Sequence, residues 1–174
     1  MKVGPGFTDE YPDADVASTE AFATLARVGH VTLAEIDVRV DATFGVKQVV
    51  ATALFTIDGA DRPLTPSEIG ERMLIPSATL TATLDTLERQ GWVQRLPNPE
   101  DRRSVLIEIT DEGRSAADQM LPGIRQLERR ALSVLNKTER RQLLGFLERI
   151  LGELAVIETE PIEPLNGRRT RPDR

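Results

Sequence analysis

The chain contains no cysteine and a single histidine. Without cysteine there can be no disulfide framework, thiolate metal site or thiol switch, and one histidine cannot build a His-rich metal site. Sulfur redox chemistry falls to Met1, Met73 and Met120, a slower route. No apolar run approaches the roughly 18 residues needed to span a bilayer. The opening segment MKVGPGFTDEYPDAD is acidic and lacks the apolar centre of a signal peptide. A cytoplasmic protein without membrane contact is expected. A basic excess is also missing: the net charge of -6 argues, taken alone, against nucleic acid. The distribution of charge matters more, since residues 64–110 hold seven acids against five bases and residues 111–155 hold seven against eight. Only local clusters in the first of these stretches can meet phosphate. No Gly-rich phosphate loop, nucleophile elbow or metal-spaced cluster is visible, so neither an enzyme nor a bound cofactor is expected.

What is present is helical periodicity. At 174 residues, with 40% hydrophobic, the chain suits one ordinary core. Residues 1–17, rich in Gly, Pro and Asp, read as an arm. Within 18–43, Phe22, Leu25, Val28, Leu33, Ile36 and Val40 form a helical stripe interrupted by Gly29, and Phe44-Gly45 ends it. A cleaner stripe follows in Val46, Val49, Val50, Ala53, Leu54 and Ile57, stopped by Asp58-Gly59.

Thr65-Pro66-Ser67-Glu68 then signals one helix start three ways, with a capping residue, Pro at the first helical position and Glu at the third. That short helix should bury Ile69 and Met73 and stop near Leu74, because Pro76 disfavours helical geometry before it. Ser77 is expected to cap the next helix. Leu80, Leu84 and Leu87 share one face of it, with Ala78, Thr79, Ala82, Thr86 and Arg89 on the other. Two short helices joined by a tight turn make a helix-turn-helix pattern.

Gly91 sits where a left-handed residue terminates the second helix. Residues 92–96 form a strand, Pro97 to Arg103 a loop with a charged tip, and Val105, Ile107 and Ile109 the returning strand. This hairpin is the wing. Thr110 should cap a long helix carrying Ala116, Met120, Ile124, Leu127, Ala131 and Val134, kinked at Pro122. Asn136, with Glu139 at the box position, should cap the last helix, whose stripe is Leu143, Leu147, Ile150, Leu151, Leu154 and Ile157. Residues 158–174 read as a flexible tail. The expected fold is mainly α with a small β-hairpin wing.

In order and spacing, "LERQGWVQR", "PEDRRS" and "ITDEG", followed by "LNKTERRQLLGFLERIL", resemble the MarR family of winged helix-turn-helix regulators. The resemblance runs from Leu64 to Leu154. It implies a DNA-binding domain at 44–110 and a homodimer whose helices at 18–43 and 111–157 interleave. It also implies recognition helices in successive major grooves of a double-stranded, pseudo-palindromic operator, wings at the flanking minor grooves, and a small-molecule or oxidative effector. Ser77, Thr79, Thr81, Ala82 and Thr83 fall where the family's recognition helix meets DNA. Ala82 departs from the longer polar or basic residue often found there. Asp101 and Arg103 match the wing motif, in which the acid holds an arginine and a tip arginine reaches the minor groove. Arg103 is assigned to Asp101 and Arg102 to DNA, though the roles can be reversed. Arg95 supports the wing or meets phosphate. The family's redox-sensing branch needs a first-helix cysteine that this chain lacks.

Short hydroxyls and alanine let a helix sink into the groove and touch thymine methyls or phosphates, and its N-terminus attracts phosphate. On an isolated helix the same threonines would be an ordinary solvated face. His30, near Arg27, would suit the carboxylate or phenolate of a small anionic or aromatic effector, although an exposed or core-satisfied histidine is the plainer account. The acidic balance of 64–110 keeps one alternative open, a winged helix used for protein contact without specific DNA binding.

Overall fold

A computed structural model of the chain describes residues 14–156, together with residues 4, 6, 7, 11 and 12. The tail at 158–174 and most of the N-terminal arm lie outside the described residues. The chain divides into two compact units, Met1–Leu127 and Glu128–Arg174, each described by itself below.

In the first unit, helix α1 spans Val16–Phe44. It starts where the Asp15 carboxylate accepts the backbone N–H groups of Ala17 and Ser18, at 3.0 and 3.3 Å, satisfying donors that a first turn leaves free. It ends at Gly45, whose φ of 64° is the left-handed geometry that only glycine adopts without cost. Gly29, which interrupts the apolar stripe, does not break the helix. The helix runs through it, since one glycine costs about 1 kcal/mol and the helix is long enough to absorb it.

Helix α2, Gln48–Asp58, has no capping side chain of its own. Asp37 of α1 serves instead, accepting Gln48 N–H at 2.8 Å and Lys47 Nζ at 3.3 Å. The Gln48 donation, with Lys47 beside it, holds the Asp37 carboxyl below its ordinary range. Asp37, with Asp41, raises the Lys47 ammonium above its own. Val50, Ala51, Ala53, Leu54 and Ile57 of α2 occupy the core, which includes the fully buried Leu54, Leu64, Ile69, Leu87 and Ile107.

Helix α3, Pro66–Met73, carries the full capping box. Glu68 N–H donates to Thr65 Oγ1 at 3.3 Å, and Thr65 N–H donates to the Glu68 carboxylate at 2.7 Å. Arg62 grips the same carboxylate. These donations, the Arg62 bond foremost, hold Glu68 at about 2. Ile69 is buried, but Met73 is half-buried against the core rather than enclosed, being in the last turn. Leu74 closes the helix in the left-handed region at φ 52°, a conformation costing an L-residue about 1–2 kcal/mol, and it is 68% exposed.

Helix α4 spans Ser77–Arg89. The residue at its cap is Pro76 and no side chain closes the turn, so Ser77 is the first helical residue and not the cap. Pro76 has the fixed φ that a helix entry needs, which explains the shift by one. Gly91, at φ 73°, turns the chain into strand β1, Val93–Pro97. This pairs antiparallel with β2, Val105–Ile109, in the register Val93↔Ile109 to Pro97↔Val105. Leu64 adds a bridge to Ile107 on the far edge of β2, with hydrogen bonds of 3.1 and 2.7 Å.

Helix α5 spans Asp111–Ala131 and continues through Pro122. Thr110 caps it as expected, its Oγ1 accepting Gly113 N–H at 3.0 Å and donating to Gly91 O at 2.7 Å. Gly113 permits this joint. A Cβ at that position would lie 2.0 Å from the Trp92 carbonyl oxygen.

In the second unit the helix ends at Ala131, where Val134 was expected to continue it, and Leu132–Val134 form a 3-10 turn. Helix α6, Lys137–Val156, follows a reciprocal cap. Asn136 Oδ1 accepts from Thr138 and Glu139 N–H at 2.8 and 3.1 Å, and Glu139 Oε2 accepts from Asn136 N–H at 2.7 Å. Its Leu147, Ile150, Leu151 and Leu154 are exposed. No single helix among the described residues is long and apolar enough to cross a membrane.

Candidate nucleic-acid interface

The outward face of α4 is fixed by what the inward face buries. Leu80, Thr83, Leu84 and Leu87 are within the core. At about 100° per residue, the positions opposite them are Ala78, Ala82, Asp85 and Arg89. All four are exposed, with Ser77, Thr79 and Thr81 beside them. Ala78 therefore joins the candidate surface, and its spacing of four from Ala82 was the signal for it.

Thr83 leaves that surface. It is 3% exposed, and its hydroxyl donates to Thr79 O at 2.8 Å, so it cannot face DNA as expected. The cause is helical phase: position 83 lies three after Leu80 and four before Leu87. A back-bonded hydroxyl is satisfied without a partner from another element, which makes its burial inexpensive. Thr81 and Thr86 are bonded likewise, to Ser77 O at 3.0 Å and Ala82 O at 2.9 Å.

Arg95 on β1 reaches Asp85 at 2.5 Å and Glu88 at 3.3 Å, both on α4. Of the two roles open to it, support of the wing is the one this geometry favours. The guanidinium ties the hairpin to α4 and neutralises an acid on its outward ridge. Sequence alone did not suggest the acid partners, because the hairpin brings together residues that no local pattern connects.

At the wing tip, Asp101 Oδ1 accepts the backbone N–H of Arg103 at 2.9 Å, while Asp101 O accepts Ser104 N–H at 3.0 Å. The expected side-chain ion pair between Asp101 and Arg103 is absent. The acid shapes the turn through the main chain, a short-range closure that aspartate makes readily. Among the described residues neither Arg102 nor Arg103 has a partner for its guanidinium, and both are exposed. Two cations are thus available at the tip.

Arg27 and His30 are exposed on α1. A cleft of about 400 Å³ in the first unit lies between Arg39–Phe44 and Gln119–Gln126 and includes neither of them.

Two short helices with a tight turn, followed by an antiparallel hairpin with a cationic tip, make this chain a winged helix-turn-helix protein. It belongs to the MarR family. The MarR family model matches residues 44–104. The transcriptional regulator PecS of Dickeya dadantii is 34% identical over 147 residues, covering 82% of this chain and 86% of its own. Among solved structures, a mutant MarR from E. coli complexed with operator DNA is 26% identical, with a TM-score of 0.64 over 79% of this chain and 99% of its own. Sco3205 from Streptomyces coelicolor, in complex with DNA, shares the fold at a TM-score of 0.74 and 22% identity, over 83% of this chain and 91% of its own. The chain is a MarR-type transcriptional regulator and not an enzyme.

Proposed function

We propose that the protein is a ligand-responsive repressor that binds a pseudo-palindromic operator as a homodimer. The observation that carries this reading is the pairing of an α4 ridge of short side chains, Ser77, Ala78, Thr79, Thr81 and Ala82, with the two unpartnered cations Arg102 and Arg103 at the wing tip. A helix without long side chains enters a major groove closely, and free arginines suit the narrow, electronegative minor groove beside it.

Dimerisation is supported by exposed apolar side chains on two helices. Phe22, Val28, Val31, Leu33 and Val38 of α1 are 48–68% exposed, and no residue of α6 is buried. Surfaces of this kind mark association sites in soluble proteins. An effector is supported by the 400 Å³ cleft, where Val40, Phe44, Met120 and Ile124 supply apolar walls that suit a small aromatic compound; Arg39 at its edge is paired with Glu35 at 2.6 Å, so an anionic group would have to share that guanidinium.

Fluorescence anisotropy on labelled DNA from upstream of the protein's own gene tests the reading. We expect specific binding by a dimer, lost when about half a helical turn, roughly 5 bp, is inserted between half-sites. Arg102→Ala should weaken binding and flatten its salt dependence. Binding no tighter than to unrelated DNA would overturn the reading in favour of a protein-contact module.

A further inference from the structure

The donors and acceptors on α4 restrict which base pairs it can read, an inference that rests on the DNA-binding reading above. Residues 77–88 contain no Arg, Lys, Asn or Gln. Guanine presents N7 and O6 as paired acceptors and is recognised by a side chain with donors, most often arginine. The hydroxyl protons of Thr81 and Thr86 are already given to the carbonyls of Ser77 and Ala82. Each hydroxyl keeps acceptor lone pairs and each residue its methyl group. Asp85, the one charge on the ridge before the last turn, is taken by Arg95. Arg89, at the far end, is bonded through Nη2 to Thr86 Oγ1 at 3.1 Å. The first two turns thus present the methyl groups of Ala78 and Ala82 at the centre and the acceptor-only oxygen of Thr81 to one side, while the exposed hydroxyls of Ser77 and Thr79 at the flanks can each give one proton but not the paired donation that guanine N7 and O6 take from an arginine.

We infer that α4 reads T·A base pairs, with Ala78 and Ala82 against thymine C5-methyl groups and Thr81 Oγ1 accepting from an adenine N6 amino group. Thymine is the base with a methyl in the major groove, and of the two amino donors there, adenine N6 and cytosine N4, it is adenine's that belongs to the same base pair as that methyl. Both ligands match what this ridge can supply. An alanine is needed at 82 because a longer side chain would hold the helix axis away from the methyl, so the departure from the family's usual residue becomes the reading device.

The test uses the full-length protein and duplexes selected from a randomised library. In each selected duplex, thymidine is replaced position by position with deoxyuridine, and deoxyguanosine with its 7-deaza analogue. Deoxyuridine should weaken binding about fourfold at each contacted position, the worth of one buried methyl. The sensitive positions should cluster in the half-sites, and 7-deazaguanine should have little effect there. Ala82→Arg, an exposed substitution that the fold tolerates, should on reselection replace T·A with G·C at the step facing residue 82. Half-sites indifferent to deoxyuridine but weakened tenfold by 7-deazaguanine would overturn the inference and leave DNA binding intact. A selection that enriches no duplex would overturn the DNA-binding reading and the inference with it.

Discussion

Replacing Arg95 with glutamine removes the clasp between β1 and α4 and leaves Asp85 and Glu88 without their cation. The side chains of Arg95, Asp85 and Glu88 are 36%, 53% and 44% exposed, so water already screens the pairs. Their loss should cost folding stability no more than about 1 kcal/mol. Binding should suffer as well. Unscreened, a carboxylate about 8 Å from a phosphate is repelled by roughly 0.5 kcal/mol in bulk water and about 2 kcal/mol at the effective dielectric of a protein surface, and at that distance, one Debye length, physiological salt cuts both to about a third. Affinity should therefore fall about 1.4- to 4-fold per protomer at physiological salt, and more at low salt, while the thermal midpoint barely moves. Asp85→Asn should be nearly neutral in the native background and restore most of the affinity in the Arg95→Gln background. Fluorescence anisotropy with selected duplexes, across a salt series, measures all four corners of this cycle. If Asp85→Asn improves binding by the same factor with and without Arg95, the two side chains are uncoupled, Arg95 acts on phosphate directly, and the clasp argument fails.

Gly113→Ala would place a Cβ 2.0 Å from the Trp92 carbonyl oxygen and 2.8 Å from Ile109 Cγ1, so we expect destabilisation of about 3 kcal/mol, seen as a lower urea midpoint. A loss below about 1 kcal/mol would show that the joint can open at little cost. Acid should act through Glu68, held at about 2 in the folded chain against an ordinary value of 4.5. A lowered carboxyl stabilises the fold fully above the unfolded value and loses that contribution as pH falls through the folded one. Urea midpoints should therefore drop between about pH 4.5 and 2, more steeply in the native protein than in Glu68→Gln. Parallel pH profiles would remove Glu68 from the account.

Local chemistry was the most legible part of the sequence. Thr65-Pro66-Ser67-Glu68, Gly91, Thr110 and Asn136 each mark a boundary through neighbours within a few residues, and each boundary lies where those neighbours put it. Thr83 carries two conflicting signals, a polarity that points to the groove face and distances from Leu80 and Leu87 that place it inward, and the helical phase prevails. Contacts made across elements had no such signal. The Arg95 clasp joins residues ten apart in sequence through a hairpin, and Asp37 caps a helix eleven residues on. The tip of the wing is a related case. "DRR" suggests an ion pair, whereas the side chain of an aspartate at a turn reaches nearby main-chain N–H groups more readily than a flexible guanidinium.

The junction of Gly91, Trp92, Thr110 and Gly113 works as a fixed elbow. Thr110 is bonded to Gly91 through its hydroxyl at 2.7 Å and to the Trp92 carbonyl through its N–H at 3.0 Å, and Gly113 lies against that same carbonyl. With so little slack, the start of α5 and the end of α4 turn together. Helix α4 has 13 residues and is about 20 Å long, so a rotation of about 5° at the elbow would carry its far end through nearly 2 Å. The distances of an intact hydrogen bond vary by only about 0.5 Å. A tilt of α5 too small to disturb its own packing is therefore large enough, at Ser77 and Ala78, to take the helix out of register with the base edges that the proposed reading sets against it.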